Sequence, residues 1–295
     1  MKKYIKFFIR FTVTVLLILY LFKKIEVKHV LNHLFLINPL IFLSASLLYI
    51  LSSYISTLRW KIFLSNEVKV SELFSLYLIG SFFNNVLPGI IGGDVVKIFM
   101  IKEKVGLKKA FASVFMERYT GLCALLLISF IFFCLFYKKL PQNILIWSVP
   151  AGFLLFILGT IFLLLIGKTK FFREFHDYIL TFNKNQILQA LFYSFLVQFT
   201  VILSVYVIFL GVGISVSFFE VCIFLPIIIL ISMLPISLSG IGVREWSFIL
   251  FFGKSFGDTP IVAVSFLWFL SQVFASFTGG VEYLRFKKPL NVKKE

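Results

Sequence analysis

Apolar and polar positions alternate along this chain in blocks far longer than a strand or a surface helix needs. Six apolar runs, about 5 to 22, 39 to 58, 116 to 137, 143 to 166, 187 to 210 and 260 to 284, predict helices able to cross roughly 30 Å of hydrocarbon at about 1.5 Å per residue. Two further apolar stretches, 72 to 103 and 217 to 252, are each interrupted near the middle by a Pro and Gly cluster, so each reads as two short halves. Broken backbone at membrane depth is tolerated only against protein or a water-filled cavity. The pattern therefore predicts an all-α polytopic membrane protein with six transmembrane helices and two re-entrant hairpins.

Composition agrees. Of 295 residues 60% are hydrophobic and 14% charged, and the mean hydropathy is +1.01. A soluble domain carries about 25% charged residues, so too few remain here to coat a solvated surface, and forty phenylalanines need lipid or protein around them. Disordered, collagen-like and disulfide-rich secreted classes are excluded. Cys123, Cys134 and Cys222 lie inside apolar runs without metal-ligand spacing and read as small apolar residues.

The 29 Lys and Arg against 13 Asp and Glu give a net charge of +16. Basic residues flank the spans, which orients a membrane protein and disfavours a nucleic-acid partner. With the N-terminus cytoplasmic and both hairpins re-entrant, 21 of the 29 fall inside and 6 outside, leaving only Arg118 and Arg244 within apolar segments. That bias predicts cytoplasmic N- and C-termini in an inner or plasma membrane. The basic start lacks a small-residue cleavage site before Lys23 and Lys24, so it reads as a retained helix.

Pro88 and Pro235 each follow a Leu and precede glycines and then a basic residue, and they lie half a chain apart. The expected organisation is one integral membrane domain, 1–295, with repeat halves at 1–142 and 143–285 and a basic cytoplasmic tail at 286–295. Each half holds span, span, broken hairpin, span. An odd number of spans makes the repeat inverted, a plan in which paired broken segments meet near the midplane to build a binding site. The alternative is two ordinary helix kinks.

The first break contains Asn84, Asn85, Pro88, Gly89, Gly92, Gly93, Asp94 and Lys97. Its glycines allow close backbone approach, and the freed amides of the second half-helix, with Lys97 one turn on, favour a lipid phosphate. Asp94 reads as the N-cap of that half-helix. The second break contains Pro235, Ser237, Ser239, Gly240, Gly242, Arg244 and Glu245. Charges in a membrane segment need partners or water, so Arg244 and Glu245 are expected to face a cavity. Neighbours on a helix diverge, which predicts reciprocal pairing instead: Arg244 with Glu117 or Asp94, and Arg118 with Glu245. The competing expectation has Glu117 and Arg118, at the start of a span, snorkelling at the interface. Arg59, followed by Trp60, reads as an interfacial anchor, and so does Glu282 beside Tyr283 and Arg285.

Little points to catalysis. His29, His33 and His176 are expected in polar loops, with no hydrolase, zinc or nucleotide-binding motif, so no enzyme activity, metal or cofactor is expected. Residues 168 to 186 interleave Lys168, Lys170 and Arg173 with Phe171, Phe172, Phe175, Tyr178 and Phe182, as an amphipathic helix on an anionic leaflet would.

Arg59-Trp60, the LPGIIGGD segment ending in Asp94, MERYTGL at 116 to 122 and LPISLSGIGVRE ending in Glu245 occur together and in order. In this the chain resembles the lysylphosphatidylglycerol synthase transmembrane region family of flippase-like proteins, over about 5 to 285. In the two-domain relatives, the multiple peptide resistance factors, such a region translocates aminoacylated phosphatidylglycerol that a cytosolic domain makes. With the sequence ending at Glu295, the resemblance implies translocation and not aminoacyl transfer. Some stand-alone relatives are linked to polyprenyl-phosphate pathways, and Lys97 stands where relatives commonly carry arginine, which loses the bidentate fork for phosphate.

The expected function is movement of an anionic or zwitterionic lipid between leaflets. The substrate-binding candidates are the residues named above: Arg59, Asn84, Asn85, Gly92, Gly93, Asp94, Lys97, Glu117, Arg118, Ser237, Ser239, Gly240, Gly242, Arg244 and Glu245. Lys97, Arg244 and the helix starts would hold the phosphate, while Asp94, Glu117 and Glu245 would balance charge or hold an amine. The expected partners are membrane lipids with anionic headgroups; a separate lipid-modifying enzyme and a homodimer are compatible with the sequence. The rival is a non-transporting membrane subunit that recruits a lipid- or glycan-modifying enzyme. An intramembrane enzyme would have only Glu117, Glu245 and Asp94 to work with.

Overall fold

The computed structural model describes residues 2–25, 27–64, 68–86, 92–140, 144–167, 169, 173–234, 236–237 and 240–286. They form helices throughout, with no strand among the described residues. In chain order these are α1 (Lys2–Lys24), α2 (Val27–Leu36), α3 (Pro39–Ile62), α4 (Val70–Val86), α5 (Gly92–Val105), α6 (Leu107–Phe136), α7 (Ser148–Gly167), α8 (Arg173–Leu180), α9 (Lys184–Gly211), α10 (Phe218–Met233), α11 (Val243–Phe248), α12 (Lys254–Phe256) and α13 (Asp258–Arg285). A π-turn, Ile249–Gly253, joins α11 to α12.

Five helical segments are long and apolar enough to cross a membrane: Pro39–Ile62, Leu107–Lys139, Ile144–Gly167, Lys184–Gly211 and Asp258–Arg285. They match five of the six expected spans, the third beginning nine residues earlier than its apolar run. The sixth is α1, whose apolar stretch among described side chains is Phe11–Leu21. Helix α7 is apolar on every side and almost wholly exposed on the protein, as a lipid-facing helix is.

Both broken stretches fold back. Glu72 of α4 meets Lys104 of α5 at one end (2.6 Å), and Asn84 meets Gly93 at the other, so α4 and α5 run antiparallel. Their approach is set by glycine: a β-carbon on Gly93 would overlap the Gly80 carbonyl. In the second stretch α10 packs on α11, and the glycines of the turn between them, Gly240 and Gly242, have φ of 76° and 82°, which a side chain disfavours. Pro88, Gly89, Pro235 and Ser239 lie outside the described residues, as do Lys168, Lys170, Phe171, Phe172 and residues 287–295 of the tail.

The element order repeats. Long helix, short helix, long helix, hairpin and long helix run from α1 to α6 and again from α7 to α13. Asn38 and Asn183 cap α3 and α9. α5 spans 14 residues and ends at Gly106 (φ 81°, ψ 152°); α11, the π-turn and α12 together span Val243–Phe256 and end at Gly257 (φ 86°, ψ 144°). Packing repeats with the order: α3 lies on its counterpart α9, α4 lies on α13 as α10 lies on α6, and α13 lies on α3 as α6 lies on α9. Small residues make the central α3–α9 contact close, with Ala45, Ser52, Ser53 and Ser56 buried on one side and Ala190 and Ser194 on the other. Beside it, Phe209, Phe248, Phe252 and Trp268 fill the main apolar core.

Candidate functional site

Five charged side chains from three helices, α3, α5 and α6, meet beside Tyr77 of α4. Glu117 of α6, fully buried, accepts from Arg59 Nη2, from the Tyr77 hydroxyl (3.1 Å) and from Lys97 Nζ (3.2 Å). Lys97 also lies 3.1 Å from Asp94 Oδ1, and its ammonium sits 4.4 Å from the centre of the Tyr77 ring and 5.2 Å from that of Trp60. Asp94 takes both prongs of Arg118, Nε at 2.8 Å and Nη2 at 3.0 Å. Arg59 Nη1 donates to Ser194 Oγ (3.0 Å), while its Nε is buried without a hydrogen-bond partner. Three cations face two carboxylates, so the cluster carries one surplus positive charge in a medium where charge is costly.

This arrangement brings together Arg59, Asp94, Lys97, Glu117 and Arg118 and corrects several expectations. Arg59 is no interfacial anchor: α3 continues to Ile62, and Gly121 leaves room for the guanidinium to lie buried against α6. Glu117 and Arg118 stand a third of the way along α6, not at a span's start. Asp94 is not the N-cap. It occupies the first turn of α5, and the Gly93 amide is taken by Asn84 Oδ1 (2.8 Å), so that amide is not free for a phosphate. Asn85 turns back to the Ser81 carbonyl of its own helix (3.3 Å).

The predicted cross-pairing of the two breaks is also overturned. Arg118 pairs with Asp94 rather than Glu245, and Arg244 pairs with its neighbour Glu245 rather than with Glu117 or Asp94 (Nη2–Oε1 2.7 Å, Nε–Oε1 3.0 Å). The cause is local. Glu245 Oε2 accepts from the Gly242 amide (2.7 Å), which bends the carboxylate back over the helix start, where the long Arg244 side chain curls to meet it. Ser265 Oγ adds a 3.3 Å contact, and the Arg244 guanidinium lies 4.4 Å from the centre of the Phe269 ring. Asp94 and Glu245 are both the third residue of their helices. Ser237 is buried with its hydroxyl unpartnered, and Gly240 and Gly242 supply the turn. A separate apolar pocket of about 340 Å³ between α1, α2, α11 and α13 reaches Glu245.

Three members of the cluster help to line a cavity of about 510 Å³. Arg59, Lys97 and Arg118 line it, with Asn84, Ser52, Ser53 and Ser56; neither Asp94 nor Glu117 does. The rest of the wall is largely apolar, from Leu122, Leu125, Ile229, Met233 and Trp268 to Leu163 of α7, itself 45% exposed. Arg118 is the open member of the cluster, with a side chain 40% exposed. Sequence reasoning missed Tyr77, Ser194, Gln198 and Gly121. The available signal was the set of small hydroxyls Ser52, Ser53, Ser56 and Thr57 inside an otherwise apolar helix. Among the described residues no cluster of His, Cys, Asp and Glu forms a metal site; the histidines lie on helices and not in loops, His29 and His33 on α2 without a third such residue and His176 on α8.

The model of the lysylphosphatidylglycerol synthase TM region matches residues 7–280. A UPF0104 membrane protein of Methanocaldococcus jannaschii is 26% identical over 96% of this chain and 95% of its own length, and one of Pyrococcus horikoshii is 25% identical over 69% and 73%. No solved structure matches. The chain is an all-α polytopic membrane protein and belongs to the lysylphosphatidylglycerol synthase TM region family.

Proposed function

We propose that the protein moves a lipid headgroup between membrane leaflets through the cavity between α3, α6 and α9. One observation carries the reading: the cavity joins a buried, net-positive charge cluster to an apolar wall that extends to Leu163 on an exposed helix. A headgroup with a phosphate has charged partners at one end, and its acyl chains have apolar surface towards α7 and the surrounding lipid. The cargo on this reading is an anionic or zwitterionic lipid, such as aminoacyl-phosphatidylglycerol or a polyprenyl phosphate. The α4–α5 and α10–α11 pairs are the re-entrant hairpins, and the repeat is inverted across the membrane plane, with both termini cytoplasmic. Rocking of one half against the other would then expose the cavity alternately to each leaflet. The two sites are built differently, a five-membered network in one half and an Arg244–Glu245 pair in the other, so the halves are not in equivalent states.

The test is leaflet exchange of fluorescent phosphatidylglycerol, lysyl-phosphatidylglycerol and polyprenyl phosphate in proteoliposomes. Exchange of at least one lipid above protein-free vesicles, reduced by Arg118→Gln, supports the reading. Absence of exchange for all three, together with copurification of a lipid-modifying enzyme, supports the recruiting-subunit alternative.

A further inference from the structure

The two carboxylates of the cluster are fully engaged inside the protein. Asp94 is gripped by both prongs of Arg118 and by Lys97, and Glu117 by Arg59, Tyr77 and Lys97. Neither reaches the cavity wall, whereas all three basic partners do, and among the described residues no acidic side chain lines the cavity. Arg59 adds a buried Nε with no partner. A ligand in this cavity therefore meets cationic surface and hydroxyls but no carboxylate to receive an ammonium. In a poorly screened interior, the surplus charge attracts an anion and repels a cation over several ångströms.

We propose that the cavity selects lipids whose headgroup is a phosphate without an ammonium, and discriminates against aminoacylated, cationic headgroups. This rests on the reading of the cavity as a lipid site and narrows its cargo. Arg118, whose exposed face can give donors to a ligand while Nε and Nη2 stay on Asp94, is the principal phosphate contact. Arg59 sets the charge behind it. The apolar wall from Leu122 to Leu163 takes the first part of an acyl or prenyl chain, so a phosphate without a tail binds poorly.

The test uses the full chain purified in detergent, with photoactivatable phosphatidylglycerol as probe and the cross-linked residues mapped by mass spectrometry. Unlabelled phosphatidylglycerol, lysyl-phosphatidylglycerol and glycerol 3-phosphate are the competitors. The expected result is labelling of the cavity wall that phosphatidylglycerol displaces about tenfold more effectively than lysyl-phosphatidylglycerol, with little displacement by glycerol 3-phosphate. Arg118→Gln, which removes the surplus charge, should narrow that preference, and Asp94→Asn, which adds to it, should widen it. A merely structural role for the two residues would weaken binding in both variants without this opposition of sign. Equal or better competition by lysyl-phosphatidylglycerol overturns the selectivity, equal competition by glycerol 3-phosphate overturns the lipid source, and labelling away from the cavity overturns the site. If a variant fails to fold, the wild-type competition alone decides. Leaflet exchange without this binding preference sinks the selectivity and leaves translocation standing; the preference without exchange does the reverse.

Discussion

Replacing Glu117 by Gln keeps the side chain's shape and removes its charge. In the native protein this fully buried carboxylate holds Arg59 and Lys97 together, with Tyr77 as a further donor. The variant leaves three cations around Asp94 alone, and Arg59 keeps only Ser194 and a neutral amide. Removing one partner of a buried ion pair costs about 3 to 5 kcal/mol, because the other charge stays desolvated. The cost falls on a domain whose whole stability is on the order of 5 to 15 kcal/mol. The assay is reversible unfolding in mixed micelles, followed by tryptophan fluorescence. The double variant Arg59→Gln with Glu117→Gln should recover more than half of the loss, since it neutralises both sides while Lys97 stays on Asp94 at 3.1 Å. Glu117→Gln within about 0.5 kcal/mol of wild type, or a double variant no better than the single, would refute the assignment of this carboxylate as the cluster's centre.

Three further outcomes follow from the same geometry. Gly93→Ala, whose β-carbon would overlap the Gly80 carbonyl, should push α5 away from α4 and lower the unfolding free energy by about 3 kcal/mol, with Lys97 drawn off Glu117; a cysteine pair bridging the hairpin should cross-link more slowly in that background. Asn84→Ala should cost about 1 kcal/mol by freeing the Gly93 amide, measured by the same unfolding titration. Glu245→Gln should destabilise by about 3 kcal/mol or more, because it unpairs Arg244 and weakens the Gly242 cap together; thermal stability in detergent reads it, and a neutral result would contradict the local pairing.

What the sequence made legible, and what it hid, has a physical cause in each case. Spans were readable because a lipid-facing helix must be apolar along its whole length, as α7 is, and the largest shift came where a helix packs on protein beyond its apolar run. Helix α6 begins nine residues early for that reason: its first turns, around Ala110 and Ser113, bury against Trp60 and not against lipid. Pro88 and Pro235 suggested a repeat; the matching torsions of Gly106 and Gly257 agree with one, and no apolar pattern singles those glycines out. The charged members of the cluster could be named in advance, Arg118 because a charge in an apolar segment is expensive and Asp94 and Lys97 because they follow a glycine break, although Arg59 read as an interfacial anchor. Who pairs with whom could not. Arg59 and Glu117 are 58 residues apart, and Asp94 and Arg118 are 24 apart, so their meeting depends on how α3, α5 and α6 pack. The Arg244–Glu245 pair failed for the opposite reason: helical divergence argues against neighbours, but the Gly242 cap redirects the carboxylate before the argument applies.

The central claim is that lipid passes through the cavity between α3, α6 and α9. Its most direct test is leaflet exchange of fluorescent phosphatidylglycerol in proteoliposomes carrying Ser53→Trp, which replaces a small cavity-lining side chain by a bulky ring, beside Leu155→Trp on the exposed face of α7. The account predicts that Ser53→Trp abolishes exchange while Leu155→Trp exchanges like wild type. Undiminished exchange in correctly folded Ser53→Trp would contradict it.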